Sequence, residues 1–133
     1  ELLDDRRVDV EERRQRADID DVLEQLALAA VGIDAVADRR VHDLMNYSIS
    51  RNKTLTHDIP RTGYPNEALK LYGVGWTSYG EINGYSTNNS SIMIGWKNSS
   101  SHYATMMNPT YDKAGVGVSK KNNTIWYLVL FTK

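Results

Sequence analysis

The chain contains no cysteine, which excludes disulfide bonds and cysteine-based metal sites. It also lacks an apolar run of roughly 18 residues, the length that a transmembrane helix needs, so no membrane-spanning segment is predicted. The first residues are charged from Asp4 onward and include no apolar stretch of signal-peptide type. No signal peptide is therefore predicted within this sequence, although secretion stays open because a trimmed chain would have lost it.

A nucleic-acid surface and a phosphate loop are also missing. Basic residues are scattered singly, apart from Lys120-Lys121 at a predicted turn, so no nucleic-acid partner is predicted. Gly73-Val74-Gly75 is followed by neither a third glycine nor a lysine at the spacing of a phosphate-binding loop. The charge that is present is unevenly divided: residues 1–43 carry 13 acidic and 7 basic residues, and residues 44–133 carry 4 and 9. This division indicates a charged helical part followed by a part rich in strands and loops.

At 133 residues the chain suits one domain with a substantial core. Residues 1–19 mix Arg with Asp and Glu at helical spacing, as in Asp9 and Arg13, and are predicted to form a charged helical extension or linker. Residues 20–133 are predicted to be the domain. Apolar residues at helical spacing predict one helix over residues 22–31, ended by Gly32, and a second over residues 35–50.

The second half of the domain predicts a small sheet with helices around it. Residues 51–75 read as a long loop with a short helix at 66–72, and a strand follows at 79–85. A helix starting near Ile92 is broken by the polar run at 98–101, and His102 opens another whose Tyr103, Met106 and Met107 face the core. Residues 116–119 and 124–132 predict a hairpin. Because residues 125–131 are almost continuously apolar, that strand is expected to be central, which gives an α/β fold with a three-layer α/β/α sandwich around a small, mainly antiparallel sheet.

Three polar residues on separate predicted elements are candidates for a functional site: His57, Glu81 and His102. Two imidazoles and a carboxylate could bind Zn²⁺ or another divalent metal, or act as an acid–base set. The same residues also have structural explanations. Glu81 could be an internal anchor, His102 could bond to Ser99 or Glu81 at its helix start, and His57 could be an ordinary loop histidine. Trp96 and Trp126 are expected in the core, and Trp76 at the surface.

The order of several short motifs resembles the CAP superfamily (cysteine-rich secretory, antigen 5, pathogenesis-related 1), and in particular its small cysteine-free bacterial SCP-like branch. The resemblance covers roughly residues 20–133. It rests on these segments: Ala30-Val31-Gly32-Ile33-Asp34, Leu55-Thr56-His57-Asp58, Tyr79-Gly80-Glu81-Ile82, Trp96-Lys97-Asn98-Ser99-Ser100-Ser101-His102, Asn108-Pro109, Gly115-Val116-Gly117-Val118 and Trp126-Tyr127-Leu128-Val129.

Two departures from the family pattern matter for function. The family's Gly-Glu-Asn-Ile reads Gly80-Glu81-Ile82-Asn83 here, and no carboxylate occupies Lys97-Asn98-Ser99, where many members have a second Glu. The resemblance implies that His57 and His102 contact a metal, with Glu81 close by as a ligand, base or partner of a ligand. Tyr79, Tyr103 and Ser99 are candidates for lining the same cavity.

The leading hypothesis is a secreted or cell-surface CAP/SCP-like domain that binds an extracellular ligand, such as a peptide, a lipid or a cell-wall component. Its His/Glu cavity would hold a divalent metal. The alternative is a metal-dependent hydrolase of peptidase type, with Glu81 as catalytic base assisted by His57 and His102. That alternative predicts that Glu81→Gln abolishes turnover while leaving the fold and the metal affinity mostly intact. A third hypothesis places the function in residues 1–17, as a charged tether or interaction helix.

Overall fold

The computed structural model describes residues 32–133. Its helices are α1 (Ile33–Ser50), α2 (Pro65–Leu71), α3 (Asn89–Asn98) and α4 (Ser100–Met106), and its strands are β1 (Tyr79–Ser86), β2 (Lys113–Lys121) and β3 (Thr124–Thr132). The helix predicted at residues 22–31 and the extension predicted at residues 1–19 lie outside the described residues. None of the helices α1 to α4 is long and apolar enough to cross a membrane.

Strand β3 is the centre of the sheet and pairs with β1 on one side and β2 on the other, in both cases antiparallel. Its side chains alternate between two cores. Trp126, Leu128 and Leu130 pack with α1 on one face, whereas Tyr127, Val129 and Phe131 pack with α3 and α4 on the other. A strand buried on both faces needs apolar residues at every position, which explains the continuous apolar run. The predicted central strand and the three-layer α/β/α arrangement are thus confirmed.

Helix α1 forms one outer layer because its apolar residues recur on a single face. Val36, Ala37, Val41 and Leu44 are fully buried, and Gly32 precedes the helix with a left-handed φ of 87°. The helix lies close to β2, where a methyl group on Gly115 would come within 2.6 Å of the Ile33 carbonyl oxygen. At the same edge, the Val116 backbone N–H donates to Asp34 Oδ1 over 3.1 Å.

The segment between α1 and β1 contains regular structure and is not a loop throughout. Residues Ile59 and Gly63 form an isolated antiparallel bridge. Helix α2 follows, with Pro65 in its first turn and the Tyr64 backbone N–H donating to Glu67 Oε1 at 2.9 Å. This capping box fixes the helix start one residue before the predicted position.

Helices α3 and α4 form the other outer layer and meet at Ser99, so the predicted interruption is confirmed. Asn88 caps α3 by accepting the Ser91 N–H at 2.8 Å. In α4 the prediction for Tyr103 is wrong, because this side chain is 45% exposed while Met106 is fully buried. Helix α4 begins at Ser100, two residues before the predicted start at His102, and its last turn is the part that reaches the core.

Strands β2 and β3 form the predicted hairpin, although β2 begins at Lys113, three residues before the predicted start. The two connecting residues, Asn122 and Asn123, both have left-handed φ values, 54° and 62°. Two consecutive left-handed residues match the right-handed twist of a two-residue hairpin, and asparagine tolerates that conformation better than other non-glycine residues.

Candidate functional site

A pocket of about 420 Å³ opens beside the edge strand β1, between the loop that follows α1 and the helices α3 and α4. Two separate segments supply the histidines: His57 comes from the loop after α1 and His102 from α4. The lining residues are Leu55, Thr56, His57, Asn83, Gly95, Trp96, Ser99 and His102. The two histidines, distant in sequence, thus share one cavity.

Asn83 and Trp96 hold the walls of this pocket together. The Asn83 side-chain amide donates to the Thr56 carbonyl oxygen at 3.1 Å, which attaches the histidine-bearing loop to β1. On the other side, the Trp96 indole N–H donates to the Asn83 carbonyl oxygen at 3.4 Å and attaches α3. The asparagine that departs from the family pattern in sequence therefore has a defined place in the pocket.

His102 is oriented by the start of its own helix. Ser99 is the N-cap residue that precedes α4, and its Oγ lies 2.7 Å from His102 Nδ1. The bond runs from the pocket-lining Ser99 to the third residue of α4, so it fixes the imidazole ring against the pocket wall. Ser99 therefore occupies the place for which the sequence nominated it.

Glu81 is close to His57 but is not among the lining residues. Its side chain is 1% exposed, and its Oε1 lies 2.8 Å from His57 Nδ1. Since a carboxylate paired with a guanidinium accepts hydrogen bonds, His57 Nδ1 is the donor in this contact. When the ring is neutral, this tautomer has its lone pair on Nε2. Glu81 thus fixes both the orientation and the tautomer of His57.

The partner that holds Glu81 is Arg40, a fully buried arginine of α1. Its Nε donates to Glu81 Oε2 at 2.6 Å and its Nη2 to Glu81 Oε1 at 3.0 Å. Nη2 also donates to the His57 carbonyl oxygen at 3.0 Å, and Nη1 donates to Thr62 Oγ1 at 3.0 Å and to the Gly63 carbonyl oxygen at 2.8 Å. A guanidinium has five N–H donors, and here each of them has an acceptor.

Sequence reasoning missed Arg40, although a signal for it exists. Arg40 falls on the apolar stripe of α1, three residues after Ala37 and four before Leu44. Charged residues are seldom fully buried unless they are paired. A charge at an apolar position of an amphipathic helix therefore indicates a buried ion pair, here with a carboxylate on β1.

Two of the residues nominated for the cavity lie elsewhere. Tyr79 packs edge-to-face against Trp76, with ring centroids 5.0 Å apart, and is not among the pocket-lining residues. Tyr103, half-exposed on α4, does not line the pocket either. Tyr79 is on the same face of β1 as Glu81 but lies two residues further along the strand, about 7 Å away. Tyr103 follows His102 directly and is therefore turned about 100° away from it around the axis of α4. The expected positions of Trp96 and Trp126 in the core and of Trp76 at the surface are confirmed.

The side chains present suit a metal only in part. Among the described residues, no group of three His, Asp or Glu side chains is arranged to hold a metal ion. The pocket nevertheless offers two imidazoles, each with Nδ1 engaged by a neighbouring oxygen, which is the usual arrangement for metal-binding histidine. A metal ion held by these two histidines would need its remaining ligands from solvent or from a bound molecule.

The sequence model of the cysteine-rich secretory protein family, CAP, matches residues 11–131 of this chain. The chain belongs to this family. Among curated proteins none matches this chain. The boundary predicted between residues 19 and 20 lies outside the described residues and stays a prediction.

Solved bacterial structures share the fold. A crystal structure of an extracellular protein containing an SCP domain from Bacillus anthracis has a TM-score of 0.68 and 21% identity, and the match covers 86% of this chain and 39% of that one. An outer surface protein from Borrelia burgdorferi has a TM-score of 0.63 and 22% identity, with 92% of both chains covered. A cysteine-rich secretory protein from Staphylococcus aureus has a TM-score of 0.60 and 20% identity, and the match covers 98% of this chain and 37% of that one. This chain thus spans less than half the length of the Bacillus and Staphylococcus proteins.

Proposed function

We propose that this CAP domain is a secreted or cell-surface binding module whose ligand occupies the pocket between His57 and His102. The extracellular and outer-surface descriptions of structures with the same fold support the location. The observation that carries the proposal is the pocket itself, a space of about 420 Å³ lined by His57 of the loop after α1 and by His102 of α4. Such a concave site with a few convergent polar groups is typical of small-ligand binding.

The same pocket is the proposed site of a divalent metal, with zinc as the first candidate. His57 and His102 would hold the ion through their ring nitrogens, while Glu81 and Ser99 fix the two rings. A metal bound there would supply a Lewis acid that attracts an oxygen atom of a peptide, a lipid or a cell-wall component. The chain's own contribution is to orient the imidazoles and to shape the pocket.

Binding is favoured over hydrolysis by the position of the carboxylate. No carboxylate is among the described residues that line the pocket. The two oxygens of Glu81 accept hydrogen bonds from Arg40 and His57, and its side chain is 1% exposed. A general base must reach the proton that it removes, directly or through one water. Glu81 is therefore proposed as the residue that positions His57, and not as a catalytic base.

Zinc titration by calorimetry on the full chain tests this proposal. The wild-type chain is expected to bind zinc, and the His57→Ala/His102→Ala variant is expected to lose that binding while its circular dichroism spectrum stays unchanged. His42→Ala is the matched control, because His42 is exposed on α1 and contacts Asn46. The proposal of a metal site fails if the folded wild-type chain does not bind zinc, or if the double variant binds it as tightly as wild type.

A further inference from the structure

A second pocket lies at the opposite end of α1 from Gly32, where the turn after Ser50 meets the β2–β3 hairpin. Its volume is about 220 Å³, and we call it the lysine pocket. Lys53 from the turn and Lys121 from the hairpin both line it, so two cationic residues from separate elements border one space. We infer that the lysine pocket binds a phosphate group of an extracellular polyanion, in addition to whatever occupies the histidine pocket.

The charge balance of the lysine pocket favours an anion. No carboxylate is among the described residues that line it. Neither lysine forms an ion pair with a carboxylate within residues 32–133. Two more cations, Arg51 and Lys120, adjoin it in sequence, and residues 44–133 carry 9 basic against 4 acidic residues. Like charges around one cavity repel each other, and a bound phosphate would relieve that repulsion.

The cations at this end are also held in place. Lys53 Nζ lies 5.5 Å from the centre of the Tyr85 ring, and the Arg51 guanidinium lies 5.2 Å from that of Tyr47. Contacts of this kind attract a cation to the face of an aromatic ring. An ammonium group that is already positioned loses less side-chain entropy when it binds a ligand than a free lysine would.

The remaining lining adds hydrogen-bond donors. Asn52 and Asn122 bring side-chain amides into the pocket, each from a backbone with positive φ, 55° and 54°. The Trp126 indole N–H, although buried, has no hydrogen-bond partner within the described residues. The two lysines and the amide N–H groups of the two asparagines can all donate to the oxygens of a phosphate group, which are hydrogen-bond acceptors.

Binding to the full chain is measured with two probes, pyrophosphate by calorimetry and phosphatidylglycerol vesicles by co-sedimentation. Phosphatidylcholine vesicles serve as the neutral reference. Both probes should bind more weakly as salt rises. The Lys53→Gln/Lys121→Gln variant should bind pyrophosphate about tenfold more weakly, since it loses two charge contacts.

The matched control is Lys70→Gln/Lys97→Gln, which removes the same charge from exposed positions on α2 and α3. Its affinity for pyrophosphate should stay within about twofold of the wild-type affinity. The His57→Ala/His102→Ala variant should also stay within that range, which would show that this binding does not depend on the histidine pocket. Binding of pyrophosphate alone would indicate a soluble polyanion, and binding of both probes a lipid headgroup. The inference is overturned if the folded wild-type chain binds neither probe, or if the control variant weakens binding as much as the lysine-pocket variant.

Discussion

Arg40 joins three parts of the molecule through a single side chain. It leaves α1, pairs with Glu81 on β1, and donates to the backbone and side chain of the loop at His57, Thr62 and Gly63. Its burial would be costly without these partners, because an unpaired charge loses its hydration. At the residue scale, the geometry of the histidine pocket therefore depends on a charge that lies outside it.

This dependence predicts that Glu81→Gln destabilises the fold. The substitution leaves the buried Arg40 guanidinium without its counter-charge, so the free energy of unfolding should fall by about 3–5 kcal/mol in urea denaturation. Asp43→Asn is the control, since Asp43 pairs with Arg39 at 3.1 Å but Arg39 is 37% exposed, and a pair with an exposed partner should contribute about 1 kcal/mol or less. Equal losses of unfolding free energy in the two variants would show that the Arg40–Glu81 pair stabilises the fold no more than the Arg39–Asp43 pair does. The expectation that Glu81→Gln leaves the fold mostly intact is thus replaced by its opposite.

The residues of the candidate site differ in how far sequence could place them. His57, Glu81 and His102 could be nominated because their chemistry and the motif order point to them. Their roles could not be separated, since whether Glu81 faces the pocket or Arg40 depends on the packing of α1 against β1. Arg40 itself required knowledge of which face of α1 is buried.

At the element scale, periodicity predicts most of the architecture. The alternation of β3 between two cores, the break at Ser99 and the hairpin of β2 and β3 all follow from local sequence, although the hairpin turn has two residues where residues 120–123 were predicted. The bridge between Ile59 and Gly63 does not, because it depends on the Arg40 hydrogen bonds that hold this loop. Local patterns thus identify elements, and long-range contacts shape the segments between them.

The close approach of α1 to β2 predicts opposite effects of one substitution at two glycines. A methyl group on Gly117 would collide with the Ala37 backbone and come 2.9 Å from Val41 Cγ1, so Gly117→Ala should lower the free energy of unfolding by about 1–3 kcal/mol. In contrast, a methyl group on Gly95 of α3 meets nothing within 4 Å. Gly95→Ala should therefore raise the free energy of unfolding by about 0.5–1 kcal/mol. Thermal unfolding of both variants tests the prediction. A stable Gly117→Ala variant would mean that α1 can move away from the sheet without cost.

At the scale of the whole molecule, the sheet separates two cores and the two pockets lie at different places on its rim. The histidine pocket needs β1, the loop after α1, α3 and α4 together, and the lysine pocket needs the end of α1 and the hairpin. The resemblance to the CAP superfamily implied a shared cavity for His57 and His102, whereas no motif indicated the lysine pocket, which joins residues that only the folded chain brings together. What sequence does indicate is the positive balance of residues 44–133, which contributes to the lysine pocket.

Two buried phenols make the stability of the whole fold sensitive to alkali. Tyr111 Oη donates to the Tyr79 carbonyl oxygen at 2.8 Å, and Tyr127 Oη donates to Asn89 Oδ1 at 2.7 Å. Burial raises the pKa of both tyrosines above the usual value, and the nearby Tyr79 raises the pKa of Tyr111 further. The folded protein therefore holds these protons more tightly than the unfolded chain does. Their contribution to stability is complete below about pH 10 and is lost as the pH rises through the folded-state pKa values.

The free energy of unfolding, measured from about pH 8 to about pH 12, should consequently fall less steeply in Tyr111→Phe/Tyr127→Phe than in wild type. The double variant starts from a lower stability at neutral pH because it loses two hydrogen bonds, so the slope and not the absolute value carries the test. Tyr64→Phe/Tyr103→Phe, at positions 51% and 45% exposed, should keep the wild-type slope. If the core variant instead follows the wild-type slope, the alkaline loss comes from other groups such as the lysines. The two phenols would then be as easily ionised in the fold as in the unfolded chain.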